Sequence, residues 1–288
     1  MELRQFINFL NYMKKFFFHF FIGIGVIASI ITIISFFFHF QWEKMPDKLW
    51  IVICAIVVIC ICYAVIRTWR KKKILLRISE NFKLTVEEGD LFQKKGIIVI
   101  PFNNYFDTHL GDGIIDPSSL HGQFISQLFN NRIDVLDNLI NKSLSDQKVM
   151  ATGADIRTNG KYYRYPLGTC ADVLDGGNRY VCVVTTEFDS YNVARLTCNK
   201  LSVVADGLFN HLEKVGEKTP IYMPVFGSSD LSRLNTSLER ILFYLIDYFD
   251  FALSKVPIPG VIHIVILSKK DVDLNRIENI FNVISRHN

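Results

Sequence analysis

Residues 89–122 read GDLFQKKGIIVIPFNNYFDTHLGDGIIDPSSLHG. Residues 96–101 are a short apolar run rich in Ile and Val, which predicts a buried β-strand. The run ends in the turn residues Asn103 and Asn104, and a glycine-containing loop then leads to Ser119, a residue type that caps helices. Because a helix N-terminus carries partial positive charge and free N–H groups, this order of strand, loop and helix predicts a place for an anion.

The rest of the C-terminal part alternates between strand and helix patterns. Predicted strands are 84–87, 154–158, 162–166, 180–186, 221–224 and 261–267, and predicted helices are 120–129, 133–144, 192–212, 238–253 and 274–284. This alternation predicts a three-layer α/β/α domain with a largely parallel or mixed sheet over residues 84–288. Ligands of such sheets bind at the carboxyl ends of the strands, so we expect the Asn103 turn and the Gly227 loop to meet there.

The N-terminal quarter is far more apolar than the rest. The 288-residue chain is 50% hydrophobic with a mean hydropathy of +0.23, and almost all of the excess lies before residue 67. Residues 16–40 and 49–66 carry no formal charge and are long enough to cross a bilayer. We predict a transmembrane helical hairpin at 16–73. Residues 1–15 are either an amphipathic segment that lies on the membrane surface or begins the first span, or a poorly ordered terminus.

Positive charges flank the outer ends of this hairpin. Lys14 and Lys15 lie at one end, and a second cluster lies at the other: Arg67, Arg70, Lys71, Lys72, Lys73 and Arg77. The positive-inside rule therefore places both chain termini and the α/β domain in the cytoplasm. The net charge of +4 is due to this second cluster, so no distributed basic face remains for nucleic acid. Residues 74–83 are predicted to connect membrane and domain, with a short helix at 74–81.

The motifs of the α/β part resemble the macro domain, a module that binds ADP-ribose and related nucleotides. In that family an acidic residue in a Gly-Asp-hydrophobic motif accepts a hydrogen bond from the adenine amino group, and Asp90 with Leu91 matches it. An Asn-containing turn after the next strand contacts the distal ribose, and Asn103 with Asn104 matches it. Asp107 follows this turn and either faces the far end of a ligand or belongs to a satisfied loop.

The resemblance assigns the ligand's phosphates to two loops and the helix that begins near them. The first loop lacks the uninterrupted glycines of the commonest macro domains, which puts hydrolase activity in doubt more than nucleotide binding. The remaining candidate ligand-binding residues are Gly111, Asp112, Gly113, Ser119, His121, Gly227, Ser228 and Ser229.

Two predicted spans followed by such a domain resemble the membrane effector of type II Thoeris anti-phage systems. The closer likeness is carried by PFNNYFD at 101–107, SLHG at 119–122, YPLGT at 165–169 and PVFG at 224–227. The resemblance implies that a partner TIR-domain enzyme consumes NAD on infection and makes histidine-ADP-ribose, or a related ADP-ribose conjugate. The macro domain binds this signal, and the effector then forms a homo-oligomer that disrupts the lipid bilayer of the bacterial inner membrane, causing abortive infection.

Two other functions stay open at this stage. A membrane-tethered ADP-ribosyl hydrolase would need a carboxylate or an activated water near the distal ribose, and Asp107 is the obvious candidate. An effector that answers a cyclic nucleotide is the third possibility. We expect no catalytic residue, metal or cofactor: the histidines have no ligand spacing with Cys or carboxylates, and no HExxH or GxSxG motif occurs.

Overall fold

The structure is a computed structural model that describes residues 2–38, 46–69, 71–77, 83–110, 114–147, 151–152, 159–188, 194–195, 198–216, 218–227, 237–253, 258, 260–267 and 272–284. The chain divides into two compact units, Met1–Arg70 and Lys71–Asn288.

The first unit is a pair of apolar helices, as predicted. Helix α1 covers Glu2–Phe38 without a break, and α2 covers Pro46–Thr68. The helices approach closely at Gly23, where a Cβ would lie 3.4 Å from the Cys60 Sγ atom. Within them, Tyr12–Phe37 and Trp50–Thr68 are long and apolar enough to cross a membrane. The predicted segment 1–15 is therefore continuous with the first apolar helix, and most of the predicted 41–48 loop lies outside the described residues.

The second unit is built on a mixed sheet. The strands are β1 Lys73–Arg77, β2 Lys83–Glu88, β3 Ile97–Asn103, β4 Ala151–Thr152, β5 Tyr163–Arg164, β6 Cys170–Asp175, β7 Asn178–Phe188, β8 Ala194–Arg195, β9 Ile221–Pro224 and β10 Ile262–Ile266. Five central strands run parallel in the order β2, β10, β9, β3, β7, and antiparallel β1 and β6 form the edges. The short β8 pairs with the end of β7, and β4 with β5 forms a separate two-stranded ladder.

Helices cover both faces of this sheet, which confirms the predicted three-layer α/β/α architecture. They are α3 Leu120–Leu128, α4 Ile133–Leu144, α5 Cys198–Val215, α6 Leu238–Leu253 and α7 Leu274–Ile284. Alternate side chains of β3 enter two separate cores: Ile97 and Val99 pack with α5, α6 and α7, whereas Ile98 and Ile100 pack with α3 and α4. This period of two is the geometry of a strand that is buried on both faces.

Two sequence predictions are wrong in detail, and edge strand β6 was missed. The described part of the helix predicted at 74–81, residues 74–77, belongs instead to strand β1, because Ile74 and Leu76 alternate inward and the strand pairs with β2. The helix predicted from residue 192 begins at Cys198, after the β8 bridge to β7. Edge strand β6 was not predicted, and it pairs with β7 through the turn at Gly176 and Gly177. The strand predicted at 154–158 lies outside the described residues.

Candidate functional site

A cleft of about 370 Å³ lies at the carboxyl ends of the five parallel strands. Its walls come from the ends of β2, β10, β9, β3 and β7 and from the start of α3, as the topology of the sheet requires. Six of the predicted residues line it: Asp90, Leu91, Asn103, Ser119, His121 and Gly227. The expectation that the Asn103 turn and the Gly227 loop meet at one edge is confirmed.

Asp90 stands at the β2 end of the cleft. It caps the short 3-10 helix Leu91–Gln93, with its Oδ1 accepting a hydrogen bond from the Phe92 N–H at 3.0 Å and its Oδ2 accepting from Gln93 Nε2 at 3.3 Å. These bonds fix the orientation of the carboxylate, yet each oxygen has a second lone pair that can accept. The buried side chain of Leu91 supplies an apolar wall beside it. The arrangement suits a flat ring with an exocyclic amine.

The Asn103 turn at the end of β3 is held by its own side chains. Asn103 Oδ1 accepts from the N–H groups of Tyr105 and Asp107 at 3.0 and 3.3 Å, and its Nδ2 donates to Asp107 Oδ2 at 2.9 Å. The other carboxylate oxygen of Asp107 accepts from the Lys161 N–H at 2.8 Å. Asp107 is buried and does not line the cleft, so the structure places it as an internal brace behind Asn103.

Asn104 is fully buried and does not line the cleft either. Its Oδ1 accepts from the N–H of Phe188, a cleft residue, and its backbone carbonyl accepts from the Tyr165 N–H. Its Nδ2 has no hydrogen-bond partner among the described residues. Asn104 therefore supports the cleft residue Phe188 from behind rather than facing the cleft itself.

His121 lies in the first turn of α3, against the end of β3. Its ring packs on Phe102 with centroids 3.8 Å apart, and its Nε2 is 2.9 Å from the carbonyl oxygen of Asp107. Since a carbonyl can only accept, Nε2 carries the proton and Nδ1 is left as an acceptor. Desolvation by burial lowers the pKa of His121 to about 4, although the Asp107 carbonyl acts in the opposite direction. The imidazole is therefore neutral at physiological pH.

Ser119 caps α3 at the cleft. Its Oγ accepts from the Gly122 N–H at 3.0 Å and donates to the Asp116 carbonyl at 2.6 Å. The cap satisfies one of the free amides in the first turn of the helix, and the Leu120 and His121 amides have no partner given by the described residues. With the positive end of the helix dipole, they offer a site for a phosphate.

Gly227 provides the second loop of the cleft, directly after β9. Its φ of 75° lies in the left-handed region that favours glycine, and the turn brings backbone rather than a side chain to the cleft. The other predicted members of the two phosphate loops, Gly111, Asp112, Gly113, Ser228 and Ser229, lie outside the described residues. The motif at 165–169 does not line the cleft; there Gly168 packs on Gly207 of α5.

Sequence reasoning missed several cleft residues. The missed residues that matter most are Asp116 and Ser118 before α3, Thr185, Thr186 and Phe188 at the end of β7, and Val265, Ile266 and Leu267 at the end of β10. The rule that ligands bind at strand ends could have found the second and third groups, had it been applied to every parallel strand. Within the described ranges, no group of three His, Cys, Asp or Glu side chains could hold a metal ion.

Comparison with known proteins gives consistent matches. The family model for the Thoeris protein ThsA macro domain matches residues 84–267. The Thoeris protein ThsA of Bacillus amyloliquefaciens (strain Y2) is 25% identical over 239 residues, which cover 81% of this chain and 78% of the relative. Among solved structures, the Oceanobacillus iheyensis macrodomain with ADP has a TM-score of 0.50 at 10% identity, covering 74% of this chain and 97% of that one. A mutant of that macrodomain with ADPR also has a TM-score of 0.50, at 10% identity, covering 73% and 99%. These solved structures share the fold.

Proposed function

This chain belongs to the Thoeris ThsA macro-domain family, and on that premise we propose that it is an anti-phage effector whose cleft binds an ADP-ribose-derived signal. The observation that carries the proposal is the convergence of Asp90, the Asn103 turn, the N-terminus of α3 and Gly227 around one cleft. Histidine-ADP-ribose, made by a TIR-domain enzyme, is the signal we propose, and the protein acts as a ligand-gated effector rather than an enzyme.

The dimensions of the cleft support an extended nucleotide. It crosses the ends of five adjacent strands, from β2 to β7, and four spacings of about 4.8 Å give roughly 19 Å. We place the adenine at the β2 end, where Asp90 accepts from its amino group, and the distal ribose at the β3 and β7 end. A guanine would present its carbonyl oxygen where adenine has its amine, so the carboxylate would disfavour it.

The middle of the cleft supports a diphosphate. Leu120, His121 and Gly227 line the cleft, and backbone donors at a helix N-terminus can bind phosphate without a lysine or arginine. At the far end, Asn104 supports the cleft from behind, because its Oδ1 accepts from the N–H of Phe188, a residue that lines the cleft.

Signal binding then drives assembly and membrane damage in our proposal. Helices α1 and α2 have the length and composition of membrane spans, and only residues 69–72 separate α2 from strand β1 of the sheet. A ligand shifts an assembly equilibrium only by its unequal affinity for the two states. If the oligomer closes the cleft more fully than the monomer does, the signal favours the oligomer, and the short link gathers the helix pairs at one place in the inner membrane.

The placement of Asp107 disfavours the hydrolase alternative. Both of its carboxylate oxygens accept hydrogen bonds from the protein, and the residue lies outside the cleft lining. A general base must reach the proton that it abstracts, directly or through one water. Asp107 is therefore better suited to hold the Asn103 turn than to activate water.

The test uses the full-length protein in detergent and a panel of nucleotides. Thermal unfolding is followed with ADP-ribose, histidine-ADP-ribose and a cyclic dinucleotide, because a ligand that binds only the folded state raises the melting temperature. We expect both ADP-ribose compounds to raise it and the cyclic dinucleotide to have no effect. The same protein in dye-loaded liposomes should release dye with histidine-ADP-ribose.

Three results would contradict parts of this proposal. Stabilisation by the cyclic dinucleotide alone would mean that the ligand is a cyclic nucleotide and not an ADP-ribose derivative. Release of free ADP-ribose from an ADP-ribosylated substrate would favour the hydrolase as the function of the protein. Binding without dye release or a change in oligomeric state would separate signal binding from membrane damage.

A further inference from the structure

The outward face of edge strand β1 combines positive charge with an exposed apolar side chain. Successive side chains of a strand point to opposite faces, and the inward ones of β1, Ile74 and Leu76, belong to the core that α5, α6 and α7 cover. The outward ones are Lys73, Leu75 and Arg77, and all three are exposed. Leu75 has 54% of its surface exposed and lies between two cations.

The protein neutralises only part of the positive charge around this strand. Lys73 forms an ion pair with Glu87 at 3.2 Å. Lys72 and Arg77 are exposed, and neither has an acidic partner among the described residues. The backbone carbonyl of Lys72 accepts a hydrogen bond from the Glu88 N–H at 2.8 Å, which holds this residue to the sheet. Two positive charges without a protein counter-ion therefore flank the exposed leucine.

The position of β1 in the chain keeps this face near the bilayer that the proposed spans cross. Helix α2, whose residues Trp50–Thr68 have the length and composition of a span, ends at Thr68, and β1 begins at Lys73. Even when fully extended, the chain between Thr68 and Lys73 covers at most about 17 Å. The polar layer of a bilayer is about 6 Å thick on each side, and surface charge acts over a further Debye length of about 8 Å. With α2 in a membrane, Lys72 is thus close to the headgroups.

We propose that the outward face of β1, together with Lys72, is a docking surface for the anionic headgroups of phospholipids. Lys72 and Arg77 bind headgroup phosphates and Leu75 inserts between the headgroups, because a basic segment with an apolar side chain gains from both charge and burial at a membrane surface. Lysines on an edge strand also hinder pairing with another sheet, but that role requires no anionic lipid. The inference rests on the proposed membrane spans and not on the binding of a signal.

The experiment detects lipid contact at single positions of the full-length protein. The photo-crosslinking residue p-benzoylphenylalanine replaces Leu75, and the protein is reconstituted in liposomes of phosphatidylcholine alone or with phosphatidylglycerol. After irradiation, lipid adducts are measured by mass spectrometry. The matched control carries the same group in place of Leu174, a similarly exposed leucine on β6, at the other edge of the sheet. We expect about five-fold more adduct at position 75 with phosphatidylglycerol than without it, and little adduct at position 174 in either case.

Charge removal tests the cations directly. Lys72→Gln combined with Arg77→Gln should lower the adduct yield at position 75 in anionic liposomes by about five-fold or more, and high salt should act in the same direction. The control combines Lys142→Gln with Lys214→Gln, which removes two exposed cations from the last turns of α4 and α5. This control should keep the original yield. Equal melting temperatures of the two double variants exclude unfolding as the cause of a loss.

Each other outcome contradicts the inference in a different way. Equal lipid adducts at positions 75 and 174, or a yield at position 75 that is independent of phosphatidylglycerol, would overturn it while leaving the membrane spans in place. Crosslinking of position 75 to a second copy of the chain instead of lipid would also overturn it and make this face an interface between protomers. A protein that does not float with liposomes in a density gradient would remove both the proposed spans and the docking surface.

Discussion

The ends of β2 and β3 each lead into a turn with an acidic residue, and the two acidic residues have different surroundings. Each strand is followed by a turn with an acidic residue, Asp90 after β2 and Asp107 after β3, and each carboxylate accepts hydrogen bonds from its own turn. Asp90 is part of the cleft wall, whereas Asp107 is buried behind Asn103 and also ties down the Lys161 backbone. The comparison teaches that an acidic turn residue can line a cleft at one strand end and give internal support at another.

The largest expected effect is a difference in the free energy of unfolding between alanine variants of these two residues. Asp107→Ala removes the acceptor of Asn103 Nδ2 and of the Lys161 N–H, leaving buried donors without partners, and should lower the free energy of unfolding by about 3 kcal/mol. The melting temperature should fall by roughly 6–12 °C. The matched change Asp90→Ala, at a more exposed turn, should cost about 1 kcal/mol or less. Equal losses from the two variants would contradict the distinction.

The second prediction concerns His121, which lines the cleft and donates a hydrogen bond from its Nε2 to the Asp107 carbonyl. Its folded pKa of about 4 lies below the ordinary value of 6.5, so the unfolded chain takes up the proton first as the pH falls. Its stabilising contribution is thus complete above pH 6.5, is lost between pH 6.5 and 4, and changes no further below that. The size of the loss is about 3 kcal/mol. Urea unfolding of the wild type should show a free energy of unfolding that rises from pH 4 to pH 7, and His121→Phe should lack this rise. If the free energies of the two proteins change with pH in parallel, the imidazole of His121 is not buried in its neutral form.

The third prediction tests whether Asp90, the acidic residue that lines the cleft, contributes to ligand binding. Asp90→Ala should weaken histidine-ADP-ribose binding by about ten- to a hundred-fold, because a hydrogen bond to a charged acceptor is lost while the fold is retained. Isothermal calorimetry on the full-length protein gives the constants, and an analogue with hypoxanthine in place of adenine is the control ligand. If Asp90→Ala binds both ligands as the wild type does, the base does not lie at the β2 end.

The smallest expected effect is at the Gly227 loop. Gly227→Ala places a Cβ on a residue with φ of 75°, at a cost of about 1 kcal/mol in stability. Since this backbone approaches the proposed diphosphate, ADP-ribose binding should weaken by a few-fold. Thermal unfolding with and without ADP-ribose separates the two effects, and an unchanged ligand-induced shift would place the phosphates elsewhere.

The sequence predicted what depends on local pattern. The bounds of α4, α6, α7 and β9 agree with the predictions because apolar spacing, short polar loops and strand length specify these elements. That the Asn103 and Gly227 loops lie at the same edge of the sheet followed from the rule that ligands bind at the carboxyl ends of parallel strands. The bounds of the elements depend on neighbouring residues along the chain, and the meeting of the two loops depends on the parallel topology of the sheet.

What sequence reasoning missed depends on partners distant in the chain. Residues 73–77 read KILLR, which suits a helix that continues from the preceding span, and only pairing with β2 makes them a strand. Asp107 and Asp116 illustrate the same limit at the site. Asp107 was a candidate ligand contact and Asp116 was not, yet Asp116 lines the cleft, because the contacts of α3 and of the 159–165 segment determine which carboxylate faces it.

A structure of the full-length protein bound to histidine-ADP-ribose tests the central claim most directly. The account predicts the adenine amine within hydrogen-bonding distance of Asp90, the diphosphate against the first turn of α3 and Gly227, and the distal ribose beside Asn103. A nucleotide bound at any other place on the sheet, or bound with its base at the β7 end, would contradict it.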